Sequence, residues 1–220
     1  DPRAFELKSA TDPLAINGDY ALTMFGHFNH ENAAAALLAT AWLETPRNHM
    51  KESLSKCVIP GRMTLFDLPN GALAFVDFAH NYLSLLSMGQ LAKEIRPHGK
   101  AIVMTGSAGG KALSRRKDMG LAITQIYDVA ILTSDDPNFE NPNAIADEIQ
   151  QAIENPEVAV YREMDREQAI YLALSLAGPN DVVVLAGKGN EASMKIEGHD
   201  TPYDGDAIYA QKWIATQKEA

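Results

Sequence analysis

The 220-residue chain is 46% hydrophobic and 22% charged, a composition typical of a folded globular protein and too apolar for a disordered one. Its 19 basic and 29 acidic residues give a formal net charge of −10, which argues against a nucleic-acid-binding surface, and no apolar run is long enough to span a membrane. The single cysteine excludes an internal disulfide and a cysteine-rich metal site, so we expect a cytoplasmic protein without nucleic-acid or membrane partners.

Residues 1–60 have the pattern of the end of a domain rather than of a complete one. Tyr20–Phe25 is predicted as a strand, and Asn32–Leu43 is predicted as a helix because alanine and leucine favour helices. A second helical stretch covers His49–Cys57. One strand and two helices bury too little for an independent core, and the chain starts without Met. We therefore expect a piece of a longer protein, with a domain boundary near Pro60.

From residue 61 onward, short apolar strands alternate with helical segments. Strands are predicted at Met63–Asp67, Ala72–Asp77, Ala101–Thr105, Val129–Thr133, Val158–Val160 and Asp181–Ala186. Helices are predicted at Leu83–Ile95, Arg115–Tyr127, Asn143–Ile153 and Asp165–Ala177. Pro69-Asn70-Gly71 joins the first two strands as a hairpin turn. This alternation predicts an α/β domain over 61–220, with a Rossmann-like, doubly wound, mostly parallel sheet.

Four polar loops are predicted beyond the carboxyl ends of these strands, where such sheets bind their ligands. They are Asp77-Phe-Ala-His80, Gly106-Ser-Ala-Gly-Gly110, Ser134-Asp-Asp-Pro-Asn138 and Gly187-Lys-Gly-Asn-Glu191. Four polar loops at one edge of a sheet indicate a binding site more strongly than any one of them does alone.

Each loop alone also has a plainer interpretation. The glycine loop is neither GxGxxG nor GxxxxGK[ST], so it could cradle a phosphate or only form a tight turn. His80 could be structural, and Asp135 and Asp136 could cap a helix that begins near Asn141. Lys188 is flanked by two glycines, which would expose its ammonium to a ligand. No metal-binding histidine spacing and no GxSxG elbow occurs in the sequence.

In combination, the motifs resemble those of the Mur ligases of peptidoglycan synthesis, nearest to the members that add the third amino acid of the stem peptide. The likeness begins with Gly26-His-Phe-Asn-His-Glu-Asn32, ahead of an alanine-rich helix. It continues through Pro60-Gly-Arg-Met63, Asp77-Phe-Ala-His80 (where the family usually has Asp-Tyr-Ala-His), Gly109-Gly110, Ser134-Asp-Asp-Pro137, Ala186-Gly-Lys-Gly189 and Glu191. These motifs keep the family's order and spacing over nearly the whole chain.

The resemblance implies an ATP-dependent ligase that joins a free amino acid to UDP-N-acetylmuramoyl-dipeptide through an acyl phosphate, with Mg²⁺ as a cofactor. Family members have three domains. This chain would be the end of the central ATP-binding domain (1–60) followed by the carboxy-terminal amino-acid-binding domain (61–220). The amino-terminal domain, the P-loop and most Mg²⁺ ligands would lie in the missing part of the enzyme. We therefore expect this polypeptide alone to form no amide bond, and we assign it no catalytic residue and no metal ligand.

The resemblance also implies ligand contacts at the matching positions. Asn29 and Asn32 would lie near the adenine of ATP, although Asn32 could be a plain helix cap. Arg62 would grip phosphate or ribose oxygens, Asp77 would accept from ribose hydroxyls, and His80 would lie beside them. The amino-acid pocket would be formed by Lys111, Asp135, Asp136, Asn138, Gly187, Lys188 and Glu191.

The charges of that pocket favour L-lysine over meso-diaminopimelate as the third residue. Relatives that use diaminopimelate typically carry Asp-Asn-Pro-Arg, whose arginine pairs with the distal carboxylate, and Asn138 stands at that position here. Lys111 or Arg115 could substitute for a second arginine that often follows the glycine loop. The three carboxylates of the pocket supply negative charge suited to an ammonium group.

Three alternatives stay open or are disfavoured at this point. A Rossmann-type oxidoreductase would need GxGxxG at the first strand-to-helix turn, which Asp77-Phe-Ala-His80 is not. A sister ligase that uses diaminopimelate, or one of the folylpolyglutamate type, shares the architecture. A non-catalytic module that binds a nucleotide or an amino acid also fits the absence of a P-loop from this sequence.

Overall fold

The computed structural model describes residues 1–219, which form two compact units. The amino-terminal unit is Asp1–Ile59, and the carboxy-terminal unit begins at Pro60. Within the described residues, every helix is too short or too polar to cross a lipid bilayer.

The amino-terminal unit consists of two short strands and two helices. β1 (Ala4–Leu7) and β2 (Gly18–Ala21) pair antiparallel, and they are followed by α1 (His27–Trp42) and α2 (Arg47–Lys56). The core of this unit is small and is centred on a cluster of four buried residues, Ile16, Tyr20, Leu37 and Met50.

Two boundaries in this unit differ from the prediction. The strand ends at Ala21 instead of Phe25, and α1 begins at His27 instead of Asn32. Gly26 lies between them with a φ of +92°, a conformation that glycine adopts without strain, and the helix starts directly after it. Asn32 therefore lies inside α1, and the interpretation of Asn32 as a helix cap is wrong.

The carboxy-terminal unit is built on a six-stranded sheet. Its strands are β3 (Thr64–Asp67), β4 (Leu73–Asp77), β5 (Ala101–Thr105), β6 (Val129–Leu132), β7 (Ala159–Arg162) and β8 (Val182–Ala186). Their order across the sheet is β3-β4-β8-β5-β6-β7, with β3 antiparallel to β4 and all other neighbours parallel. Every residue of β5, β6 and β8 is buried, which explains why these strands are continuous apolar runs in the sequence.

Five helices and a small hairpin complete this unit. The helices are α3 (Tyr82–Ile95), α4 (Leu113–Ile126), α5 (Pro142–Gln151), α6 (Arg166–Leu176) and α7 (Asp206–Glu219). The hairpin is formed by β9 (Ser193–Ile196) and β10 (His199–Pro202). Residues of α6 and α7 share one core with alternate residues of β4, β5, β6 and β8, while α3 packs against β5 and β8.

The predicted fold class, an α/β unit with a mostly parallel sheet, is confirmed, and so is the hairpin turn around Asn70 and Gly71. Gly71 has a φ of +91°, and the Asn70 amide donates to the carbonyl of Ala177 at 2.7 Å. Three elements were not predicted from the sequence: β1, the β9–β10 hairpin and α7. These elements are short or largely exposed, so their sequences lack the apolar periodicity that identified the others.

Candidate functional site

Four loops leave the carboxyl ends of β4, β5, β6 and β8, and the structure brings them into contact. The Gly187 amide donates to the carbonyl of Asp77 at 3.1 Å, which joins the loops after β8 and β4. The Gly109 amide donates to the carbonyl of Asp136 at 2.9 Å, which joins the loops after β5 and β6. A methyl group on Gly187 would lie 2.3 Å from Oδ2 of Asp135, so this glycine permits the close approach of the loops after β8 and β6. The predicted convergence of the four loops is therefore present.

Asp135 and Asp136 do not cap the following helix. The N-cap of α5 is Asn141, whose side-chain oxygen accepts from the Asn143 amide at 2.9 Å. Asp135 is instead buried beside Gly187, and burial raises the pKa of Asp135 against the opposing charges of Arg166 and Lys188. The two carboxylates are free from a capping role, and the capping interpretation is wrong.

Lys188 is buried, contrary to the prediction that its glycine neighbours would expose it. Its side chain is 1% exposed, and its Nζ lies 2.8 Å from Oδ1 of Asp136 and 2.7 Å from Oε2 of Glu191. Burial opposes the charge on the ammonium, but the two carboxylates outweigh it and raise the pKa of Lys188. The positive φ values of Gly187 (+116°) and Gly189 (+55°) turn the chain so that this side chain points inward. The ammonium thus pairs with two residues of its own pocket.

Asp136 also has a hydrogen bond from the β9–β10 hairpin. Its Oδ1 accepts from the Lys195 amide at 2.8 Å in addition to the Lys188 ammonium. Burial opposes ionisation of this carboxyl, but the two bonds outweigh it and lower the pKa of Asp136. The charge of exposed Lys111 acts in the same direction.

Asn138 follows these acids in a left-handed backbone conformation, with a φ of +55°. Its backbone amide donates to the carbonyl of Lys195 at 2.9 Å, and its carbonyl accepts from the Glu197 amide at 2.8 Å. Its buried side-chain oxygen has no hydrogen-bond partner in the described structure. Asn138 therefore fastens the loop to β9 through its backbone and leaves its side-chain oxygen available.

Arg166 and Asp206, which were not predicted from the sequence, form a buried pair beside Asp135. Nε and Nη2 of Arg166 donate to the two carboxylate oxygens of Asp206, at 2.9 and 2.8 Å. Nη1 of Arg166 lies 4.0 Å from Oδ2 of Asp135. A signal was present in the sequence, because Arg166 lies on the apolar stripe of α6 with Ala169, Ile170 and Ala173.

The glycine loop after β5 is shaped by close packing. A methyl group on Gly109 would lie 1.9 Å from the carbonyl oxygen of Pro137, so only glycine fits there. The Gly110 amide donates to Glu140 at 2.6 Å, and Glu140 also accepts from Arg116 at 2.7 Å. The bond from Gly110 and the charge of Arg116 both lower the pKa of Glu140. These contacts support the tight-turn interpretation of this loop.

Arg116 is a second buried arginine that sequence reasoning missed. It lies on α4, and it also pairs with Glu148 at 3.1 Å. Like Arg166, it occupies an apolar helical stripe, three and seven residues before buried Met119 and Ile123. An arginine within an apolar helical stripe is expected to be buried, and this pattern would have identified both residues as buried arginines.

The predicted ATP contacts of the carboxy-terminal unit cluster at the end of β4. The buried Asp77 carboxylate accepts from the amides of Met63 and Ala79 at 2.9 and 2.8 Å. Burial raises the pKa of Asp77, partly offset by these two bonds. The exposed Arg62 guanidinium lies 4.6 Å from the ring centroid of Phe78. Nδ1 of His80 is 2.7 Å from the carbonyl oxygen of Phe78, so this histidine has a structural partner.

Asn29 and Asn32 lie on α1 of the amino-terminal unit. The Asn29 side chain is buried and donates to the carbonyl of Phe25 at 2.7 Å, and the Asn32 amide donates to Asn29 at 3.4 Å. Across residues 1–219, no three His, Cys, Asp or Glu side chains are grouped so that they could hold a metal ion.

Comparisons with known proteins agree with the motifs. A family model described as "Mur ligase, glutamate ligase domain" matches residues 61–189. The chain is similar to the UDP-N-acetylmuramoyl-L-alanyl-D-glutamate–L-lysine ligase of Enterococcus faecalis, with 41% identity over 97% of this chain and 42% of that protein. It is also similar to the ligase of the same name from Streptococcus sanguinis, with 43% identity over 97% of this chain and 44% of that protein.

A solved structure gives the same result at the level of the fold. The structure of a UDP-N-acetylmuramoyl-L-alanyl-D-glutamate–2,6-diaminopimelate ligase superposes with a TM-score of 0.68 and 28% identity, over 92% of this chain and 42% of that one. The chain thus spans less than half of the length of each of these three relatives.

Proposed function

The chain belongs to the Mur ligase family, and on this premise we propose that it is the carboxy-terminal part of an ATP-dependent ligase that adds L-lysine to UDP-N-acetylmuramoyl-L-alanyl-D-glutamate. The support is the similarity to two L-lysine ligases over 97% of the chain. In this proposal the amino-terminal unit is the end of the central ATP-binding domain, and the rest of that enzyme supplies the P-loop and the Mg²⁺ ligands.

The observation that carries the choice of lysine is the charge at the carboxyl edge of the sheet. We define the acidic cluster as the carboxylates of Asp135, Asp136, Glu191 and Asp206. Two buried cations, Lys188 and Arg166, lie among them, and the charge of exposed Lys111 acts on Asp136, so the four carboxylates outnumber the cations and the cluster keeps a net negative charge. An ammonium at the end of a lysine side chain would reduce this excess, whereas the distal carboxylate of diaminopimelate would increase it.

Asp135 and Glu191 are the members of the cluster that we assign to the ligand. Asp206 is fully buried and paired with Arg166, and Asp136 is bonded by Lys188 and by the Lys195 amide. Asp135 has its nearest cation at 4.0 Å, and Glu191 pairs with Lys188 at 2.7 Å but is about two-fifths exposed and so has a surface open to a ligand. Asn138 places a neutral amide next to them, so a ligand carboxylate finds no charged partner at that position.

The proposed reaction proceeds in two steps. The terminal carboxylate of the nucleotide-linked dipeptide attacks the γ-phosphorus of ATP, which forms an acyl phosphate and releases ADP. The α-amine of lysine then attacks the acyl carbon, and the tetrahedral intermediate releases inorganic phosphate and a proton. The residues of this chain position the reactants: Arg62 offers an exposed guanidinium to ATP, with Asp77 and His80 beside it, while Asn29 and Asn32 are predicted adenine contacts.

Phosphate release by the complete enzyme tests this proposal. ATP, UDP-N-acetylmuramoyl-L-alanyl-D-glutamate and one amino acid at a time are supplied, and mass spectrometry identifies the product. We expect release that depends on all three substrates, with L-lysine as the preferred amino acid. A preference for diaminopimelate would show that the proposed amino acid is wrong. The absence of phosphate release with every amino acid would contradict the proposed function.

A further inference from the structure

Arg166 has no surface for a ligand, although it lies in the middle of the site. Its side chain is 1% exposed, and its guanidinium donates four hydrogen bonds. Two of these go to Asp206, one to the carbonyl of Ser134 at 3.2 Å and one to the carbonyl of Ala186 at 2.9 Å. A residue with its donors occupied in this way can act on a substrate only through its neighbours.

These acceptors belong to three separate segments of the chain. Ser134 directly precedes Asp135 in the loop after β6, and Ala186 directly precedes Gly187 at the end of β8. Asp206 is the first residue of α7, where a carboxylate is favoured by the helix dipole. One guanidinium therefore fixes the start of both loops that carry Asp135, Asp136 and Glu191, and it is anchored in turn on Asp206 of α7.

Asp206 is held in place from a second side. It is fully buried, and its Oδ1 accepts from the Tyr203 hydroxyl at 2.5 Å in addition to the Arg166 guanidinium. Buried ion pairs contribute little net stability compared with well-packed apolar residues of the same size. Stability alone is therefore a weak reason for a charged pair at this position, and the attachment of two ligand-binding loops is a better one.

We propose that Arg166 is a positioning residue of the amino-acid pocket, which holds Asp135 and the loop that begins at Gly187 in the arrangement that receives the side chain of the substrate. This inference rests on the proposed function. The guanidinium does not touch the substrate. It sets the position of the backbone on both sides of the pocket, and through its charge it also orients the Asp135 carboxylate at 4.0 Å.

The test uses the double variant Arg166→Met/Asp206→Leu in the complete enzyme, because removal of both partners leaves neither the guanidinium nor the Asp206 carboxylate buried without the other. Two readouts are needed. Steady-state kinetics should show a KM for lysine raised about tenfold or more, the equivalent of one lost charge-assisted contact, with the KM for ATP unchanged. Hydrogen exchange should be faster at the amides of Asn138, Gly187 and Glu191 and unchanged within β5 and β6.

A control and a milder variant keep the test decisive. Lys93→Met removes a 2.6 Å ion pair with Asp128, which directly precedes β6 and therefore lies at the amino ends of the strands, away from the pocket. This control should change neither readout. Arg166→Lys keeps the positive charge but cannot satisfy all acceptors, so it should shift both readouts in the same direction by less. If the double variant does not fold, Arg166→Lys alone tests the positioning role of Arg166.

The two readouts separate this inference from the proposed function. Hydrogen exchange does not depend on turnover, so unchanged exchange in the pocket loops would contradict the positioning role whatever the substrate is. Faster exchange with an unchanged KM for lysine in an active enzyme would also contradict it. If the parent enzyme uses another amino acid, only the proposed substrate fails, and the KM for that amino acid is then measured in the same variants.

Discussion

The ammonium of Lys188 lies 2.8 Å from Oδ1 of Asp136, although the two residues are 52 positions apart in the chain. The pair joins the loop after β8 to the loop after β6, and Glu191 binds the same ammonium at 2.7 Å. Lys188 therefore occupies part of the acidic cluster that was expected to face the substrate. Lys188 thus holds the pocket together from within, and the acidic cluster still carries a net negative charge.

Replacement of Lys188 by Met should destabilise the carboxy-terminal unit. The side chain is buried, and its loss leaves two carboxylates without a charged donor, so we expect the free energy of unfolding to fall by about 1–3 kcal/mol. The matched control is Lys212→Met, whose ammonium lies 2.7 Å from Asp204 but is about half exposed. Such a surface pair is worth about 0–1 kcal/mol. Urea unfolding of the complete enzyme compares the two variants, and an equal loss in both would contradict the structural role of Lys188.

Replacement of Arg62 by Ala should weaken ATP use without affecting folding. The exposed guanidinium stacks on Phe78 and is free to reach phosphate or ribose oxygens, and the loss of one charge-assisted contact raises KM for ATP about tenfold or more. Arg162→Ala is the control, because that arginine lies on the edge strand β7 and pairs with Asp147 of α5. Initial rates over a range of ATP concentrations measure the effect. The same KM in both variants would remove Arg62 from the ATP site.

Alanine substitutions at two neighbouring glycines distinguish the cost of lost close packing from the cost of backbone strain. Gly109→Ala places a methyl group 1.9 Å from the carbonyl of Pro137, so the loop after β5 must move away from the loop after β6. The Cβ of Gly110→Ala would have nothing nearer than 3.8 Å, so its penalty is the strain of a φ of +71°, about 1–2 kcal/mol. Thermal unfolding and the KM for lysine should change more in Gly109→Ala. A larger effect of Gly110→Ala would contradict the packing argument.

The affinity for lysine should depend on pH through Asp135. Burial raises the pKa of Asp135, so on acidification this carboxyl becomes neutral at a higher pH than an ordinary aspartic acid does. A neutral carboxyl no longer attracts the ammonium of lysine, so the affinity for lysine should fall over the same pH range. The same shift means that the folded unit binds more protons than the unfolded chain between the ordinary and the raised pKa. The contribution of this group to stability therefore falls as pH rises through that range.

Calorimetric titration of the enzyme with lysine at decreasing pH measures this dependence. Asp135→Asn should bind lysine more weakly at neutral pH and lose the acid-side decline, whereas the control Asp147→Asn on the surface of α5 should keep both. An unaltered decline in Asp135→Asn would assign the titration to another group of the cluster.

The sheet and the convergence of its loops could be predicted because they follow from local patterns. Continuous apolar runs such as Val182–Ala186 identify buried parallel strands, and a parallel sheet brings the ends of its strands to one edge. The position of Asp135 at that edge therefore required no knowledge of side-chain contacts. The β9–β10 hairpin gave no such signal, because every residue of His199–Pro202 is exposed.

The inner structure of the site was harder to predict because it depends on contacts between distant residues. The glycines around Lys188 suggested exposure, but the partner that draws the ammonium inward is far away in the sequence. Arg166 could have been identified from its place in an apolar stripe, since a charged residue there must be buried with a partner. The identity of that partner, Asp206, follows only from the packing of α7 against α6.

Competition between L-lysine and meso-diaminopimelate at equal concentration, with the complete enzyme, tests the central claim most directly. Asn138→Arg, read against Asn143→Arg on the exposed surface of α5, tests its charge basis. Arginine at the φ of +55° of Asn138 costs about 1–2 kcal/mol of backbone strain, which lowers stability but leaves the charge in place. We predict a clear preference for lysine in the parent enzyme and in Asn143→Arg, and a gain of diaminopimelate use in Asn138→Arg. A preference of the parent enzyme for diaminopimelate would contradict the account.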